Sequence, residues 1–154
     1  MSFSIAWAAP RHGPAIRDLA ARVGLSLNAN PELLGPEQVL LTAEDASQEL
    51  VGFLSARLVA DGAELLDLAT QPDRRRRGVA RALLARLLDL TRQAGHAAIH
   101  LEVRQSNLGA IALYEKLGFE VTRRRAGYYM KPREDALCMT LSIDPEVSKP
   151  PCET

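Results

Sequence analysis

Leu65-Leu66-Asp67-Leu68-Ala69-Thr70-Gln71-Pro72-Asp73-Arg74-Arg75-Arg76-Arg77-Gly78-Val79-Ala80-Arg81 is the stretch on which the fold turns. An apolar strand, Ala63–Thr70, runs into a Pro-marked turn. Four consecutive arginines follow, then a Gly-x-Ala step and a long amphipathic helix. A strand that feeds a basic turn at a helix N-terminus suits a phosphate. The first N–H groups of the helix have no intrahelical acceptor, and the positive end of its dipole faces the anion.

Working outward, the helix is expected over Val79–Ala94, with Ala80, Leu83, Leu84, Leu87 and Leu88 on one face and Gly95 as its stop. Upstream, Gln38–Ala43 and Leu50–Val59 read as strands, with Glu44–Gln48 a polar turn and Asp61-Gly62 a hairpin signal. Phe3–Ala9 reads as the first strand and Pro14–Val23 as a helix. Gly24–Pro36 holds at most a short helix around Pro31–Leu34. Downstream, Ala97–Arg104 alternates cleanly: Ile99, Leu101 and Val103 face one way, His100, Glu102 and Arg104 the other. Asn107 can cap a helix over Leu108–Leu117 that stops at Gly118, and Phe119–Arg125 and Leu137–Ile143 read as an antiparallel pair. A strand meander followed by strand–helix–strand–helix–strand predicts one α/β domain over residues 1–143, with a mixed sheet and helices on both faces. The Pro-containing stretch 144–154 is expected to be a loosely ordered tail.

Composition narrows the function. The net charge of zero conceals segregation: residues 1–70 carry four Lys/Arg against nine Asp/Glu, residues 71–133 fourteen against five, and 134–154 one against five. A basic middle between acidic ends suits an anionic ligand held at one place better than a nucleic-acid face. The aromatic interleaving expected for single strands is absent. Cys138 and Cys152 have no metal-ligand spacing, nor do His12, His96 and His100, so no metal is expected. Cys138, alternating with apolar neighbours, reads as core. No apolar run reaches about 18 residues and no leader pattern is present, so a cytoplasmic protein without a membrane partner is expected.

Gln71–Ala80 resembles the coenzyme-A signature of the GNAT superfamily of N-acetyltransferases, with Arg75, Gly78 and Ala80 in its fixed positions. Leu101-Glu102-Val103-Arg104-x-x-Asn107, followed by Ala110-x-Ala112-Leu113-Tyr114-x-x-x-Gly118-Phe119, resembles the second half of that fold. Arg125-x-x-Tyr128-Tyr129 with Glu134-Asp135-Ala136-x-x-Met139 is similar to the RimI-type N-terminal acetyltransferases, which acetylate the N-terminal alanine of a small-subunit ribosomal protein. The resemblance implies a mostly antiparallel sheet with a splayed central strand pair, acetyl-CoA as donor, and an amine acceptor. It departs from the subgroup at Asn28-Ala29-Asn30-Pro31-Glu32, where Pro-Trp-Ser is usual, and in a shorter Tyr128–Glu134 loop.

On this reading the backbone of Arg76, Arg77, Gly78, Val79, Ala80 and Arg81 cradles the pyrophosphate, and the arginine side chains, Arg75 included, reach the outer phosphates. Leu68, Ala69 and Thr70 pair along the pantetheine arm as an added strand does, and Asn107 contacts that arm while capping its helix. Glu102 is the expected base, through a water, and Tyr114 the expected acid for the sulfur. Each has a plainer alternative: a surface Glu paired with Arg104 or His100, and a packing Tyr. Tyr128 and Tyr129 are candidate walls of the acceptor pocket, with Glu134 or Asp135 binding a cationic amine; the alternative is two strand-end tyrosines beside an exposed acidic pair. No Ser or Cys is expected beside a base, so direct transfer is preferred to an acyl-enzyme. The acceptor stays open between a protein N-terminus and a small amine such as a polyamine, amino acid or antibiotic, and a non-catalytic acyl-CoA-binding module is the remaining alternative.

Overall fold

Alternating apolar residues from Gln38 to Thr70 build a three-strand meander, and a seven-stranded sheet grows from it. The computed structural model describes residues 2–27 and 30–143; the expected tail, Cys152 and the Asn28-Ala29 pair lie outside the described residues. The strands are β1 (Phe3–Trp7), β2 (Gln38–Asp45), β3 (Leu50–Val59), β4 (Gly62–Thr70), β5 (Ala98–Arg104), β6 (Glu120–Met130) and β7 (Arg133–Ser142). Their order is β1-β2-β3-β4-β5-β7-β6, and every neighbouring pair is antiparallel except β4 with β5. Gly62 pairs with Val59, so the hairpin turns on Ala60-Asp61, one residue before the sequence signal.

Among the described residues three α-helices clothe the sheet: α1 (Gly13–Arg22), α2 (Val79–Gln93) and α3 (Leu108–Lys116). Side chains alternate across a strand, so successive β2 residues serve different helices. Leu40 joins Phe53, Leu50 and Ala69 under Ile16, Leu19 and Ala20 of α1. Val39 and Leu41 join Leu54, Ile99 and Leu101 under Val79, Leu83, Leu84 and Leu87 of α2. Ala110, Ile111 and Tyr114 of α3 rest on this second cluster.

The central pair is splayed. β4 and β5 pair only at Ala63↔Ile99 and Glu64↔His100. Immediately beyond, the β3–β4 register slips between Ser55 and Ala56, which leaves Leu66 as an extra residue in β4. Such a bulge bends its strand. Past it, Leu68–Thr70 have no strand partner on their β5 side.

Two local expectations are corrected. No helix forms around Pro31–Leu34, because the Asn30 side chain accepts the Glu32 N–H (3.1 Å) and closes a single turn. The expected Tyr128–Glu134 loop is strand instead: β6 runs on to Met130 and β7 starts at Arg133, joined by a two-residue turn. Gly127, beyond the Arg125 end of the expected strand, sits in an irregularity of β6, and its N–H donates to Asp135 (2.9 Å).

Gly52 is where helix and sheet meet most closely. A Cβ there would lie 2.8 Å from the Ala69 carbonyl and 2.8 Å from Val79 Cγ1. Gly52→Ala is expected to destabilise the protein by about 1–3 kcal/mol, the usual cost of overpacking, seen as a lowered midpoint in urea titration.

Candidate active site

The arginine turn is held from behind. Gln71 N–H donates to the Val51 carbonyl (2.8 Å), and Arg74 pairs with Asp45 (3.2 Å) and Glu49 (3.7 Å) at the β2–β3 turn. The first of the four arginines is therefore an anchor. Arg76 (φ 63°) and Gly78 (φ 83°) then adopt left-handed conformations and swing the chain into α2. At position 78 this backbone, rather than lack of space, demands glycine. No side chain caps α2, so its first N–H groups are left for another acceptor.

These groups open onto a cleft of about 960 Å³. Leu68, Ala69 and Thr70 line one wall, Arg75, Arg76, Gly78, Val79, Ala80 and Arg81 its basic end, and Asn107 the side formed by α3. Arg77, expected with them, does not line it. Asn107 caps α3 by accepting the Ala110 N–H at 3.1 Å.

Glu102, Tyr128 and Tyr129 gather on the other side of the splay. Glu102 pairs with neither Arg104 nor His100. Arg125 Nη1 donates to its Oε1 at 2.7 Å, while His100 contacts Thr140 and Arg104 pairs with Glu134. The Tyr128 phenol lies beside the same carboxylate, a contact that raises its pKa. Guanidinium groups stack on both rings: Arg125 over Tyr128 (4.6 Å) and Arg104 over Tyr129 (4.3 Å). The two rings meet edge to face at 5.0 Å.

Glu134 and Asp135 are turned to internal work. Glu134 accepts the Ser106 N–H (2.5 Å) and Arg104 Nη1 (3.3 Å), and Ser106 first, then Arg104, holds its pKa below the ordinary carboxylate value. Asp135 accepts the Gly127 N–H and pairs with Arg124 (3.9 Å). Cys138 is only partly buried and stands opposite Glu102 in the β5–β7 register. A cysteine thus does neighbour the expected base, because register set its partner. It lines a shallower groove of about 620 Å³ with Glu102 and Arg125, not the cleft of the arginine turn.

Tyr114 packs edge to face on Phe119 at 5.7 Å. Burial, and secondarily the Asp67 carboxylate, pushes its phenol up to about 12. Asp67, 4% exposed in β4, was not singled out from the sequence. The signal was present: a charged residue inside Leu65-Leu66-Asp67-Leu68-Ala69, the same anomaly that marks Glu102. Arg104 and Arg125 escaped for a different reason, since their roles depend on strand order.

Comparisons with known proteins identify the family. Residues 6–119 match the family model described as "Acetyltransferase (GNAT) family", and the chain belongs to that family. The ribosomal protein bS18-alanine N-acetyltransferase of Escherichia coli (strain K12) is 44% identical over 97 residues, 62% of this chain and 66% of that protein. The crystal structure of the ribosomal-protein-S18-alanine N-acetyltransferase from Escherichia coli superposes with a TM-score of 0.76 at 33% identity, covering 93% of this chain and 95% of that one. Arabidopsis thaliana NAA60, crystallised with acetyl-CoA, shares the fold with a TM-score of 0.80 at 21% identity, covering 92% of this chain and 100% of that one.

Because the folded pKa of Glu134 is depressed, its contribution to stability is present above the unfolded value of about 4.3 and is lost as pH falls through the lower folded value. Glu134→Gln is therefore expected to lower the melting temperature at pH 7. Its deficit against the unsubstituted protein should narrow steadily once the pH passes below about 4.

Proposed function

We propose that the protein transfers the acetyl group of acetyl-CoA to the N-terminal α-amine of a protein, in the manner of the ribosomal-protein-alanine enzymes it resembles. One observation carries the transfer chemistry: an uncapped, arginine-flanked helix N-terminus and an unpaired strand edge line one cleft, and Glu102 stands on the strand that diverges from that edge. The fit to coenzyme A is chemical. Free N–H groups and Arg75, Arg76 and Arg81 suit its phosphates, and the open edge of Leu68–Thr70 suits an amide-bearing arm. Bound there, acetyl-CoA supplies an acyl group already activated as a thioester.

The acceptor nitrogen forms its bond to the acyl carbon as the carbon–sulfur bond breaks and the electron pair leaves with sulfur. Glu102, through a water, takes the proton that the nitrogen releases. An α-amine has a pKa of about 7.7–8.0, so near pH 8 much of it is already neutral, and the base need only guide that proton away. The role proposed for Tyr114 follows from its burial. A phenol at about 12 lies some 3.5 units above an ordinary thiol, so handing over its proton would be uphill by about 5 kcal/mol. It serves instead as a fixed hydrogen-bond donor to the sulfur as charge develops. The acceptor assignment is supported by the identity to the Escherichia coli enzyme and by Tyr128 and Tyr129 beside Glu102. A free small amine is the second reading, favoured by the departure at residues 28–32.

Glu102→Gln and Tyr114→Phe are each expected to cut kcat by about 10²-fold or more while leaving acetyl-CoA affinity by calorimetry within about twofold. With acetyl-CoA, peptides beginning in Ala, Ser or Met should be acetylated in preference to spermidine, free amino acids and aminoglycosides. Turnover of the free amines alone would exclude the N-terminal reading.

A further inference from the structure

The sheet order places β7 between β5 and β6, so Glu102 and Arg125 stand two strand spacings apart, about 9.5 Å of sheet. Their side chains nonetheless meet at 2.7 Å. Register shows how. Glu102 is opposite Cys138 on β7, and Arg125 is opposite Ala136, one rung further along the same face. Two small side chains on the middle strand let the long cation lie across it. The guanidinium is supported above by Tyr128, whose ring it covers at 4.6 Å and whose phenol approaches the same carboxylate. Arg104, on the same face, is engaged with Glu134 and the Pro132 carbonyl, so its charge is directed elsewhere.

Such a pair contributes little to stability, since the Arg125 side chain is 42% exposed and solvent screens it. Its geometric effect is larger. A free glutamate on an open strand face samples several rotamers, and a proton relay needs one of them. We propose that Arg125 is a positioning residue for acetyl transfer: lying across β7 and stacked on Tyr128, it holds Glu102 by Oε1 in the one rotamer that serves the water-borne proton transfer. This rests on Glu102 being the proton relay.

The test is a double-substitution cycle on the full chain, with acetyl-CoA and a synthetic peptide beginning in Ala. Arg125→Gln is expected to lower kcat about 10- to 30-fold, with the KM for acetyl-CoA and the melting temperature essentially unchanged. Arg125→Lys, which keeps the charge but loses the planar fork, recovers only part of that rate. In a Glu102→Gln background, Arg125→Gln should cost less than about twofold more, because its effect passes through the missing carboxylate. Multiplicative losses in the double variant, or a normal kcat for Arg125→Gln, overturn the proposal while leaving Glu102 as the relay. A normal kcat for Glu102→Gln overturns the relay and this inference together.

Discussion

Two residue pairs hold β4 to β5, and the rest of the molecule depends on there being no third. A parallel pair that continued would satisfy both backbones and close the sheet. Here the extra residue at Leu66 bends β4 away, and the peptide groups of Leu68–Thr70 face a gap. Unpaired backbone away from bulk water is costly, so a gap of this kind calls for a partner that can hydrogen-bond like a strand. The arginine turn stands where such a partner would begin, and Glu102 lies across the divergence. Core packing holds the gap open: α2 is pressed to the sheet at Gly52, α1 covers the opposite face through Phe53, and neither helix can slide in to close it.

The charges around the splay are organised as a set of clamps. Arg74 ties the turn to Asp45 and Glu49; Arg104 ties β5 to Glu134 under Tyr129; Arg125 ties β6 to Glu102 under Tyr128. Taken as ion pairs on a wet surface, these contribute modestly to stability. Taken as struts they set directions. A guanidinium sandwiched between a carboxylate and an aromatic face has few orientations left, and the carboxylate it holds has fewer still. Within the arginine excess of residues 71–133, Arg75, Arg76 and Arg81 line the cleft, whereas Arg74, Arg104 and Arg125 hold acids in place. A count of charge along the chain cannot separate them.

Donor and acceptor sides differ in how far they follow the family. On the proposed function the donor side is mostly local: one turn, one helix N-terminus and one strand edge, contiguous from Leu68 to Arg81, with α3 closing the side at Asn107. On the proposed function the acceptor side draws on three strands that are separate in sequence, β5, β6 and β7. A short contiguous motif can be kept whole while its surroundings change. A surface assembled from separated segments can be altered at any one of them.

The chain by itself determined the strands and helices to within a few residues, the capping role of Asn107, the arginine turn at the start of a helix, and the expectation of a splayed central pair that resemblance supplied. These follow from local periodicity, from turn chemistry and from a contiguous motif. Where local signals misled, the reason was physical: the strand expected over Phe119–Arg125 runs on to Met130, with Asp135 accepting the Gly127 N–H on the way. Only the tertiary structure decided which charges pair. Glu102 has Arg104 two residues away in sequence and is bound instead by Arg125, because β7 is inserted between β5 and β6 and brings rungs 102 and 125 together over Cys138 and Ala136. For the same reason Glu134 and Asp135 turn to Ser106, Arg104 and Gly127 rather than outward. Partner choice depends on strand order and register, which belong to the assembled sheet and not to any segment of it.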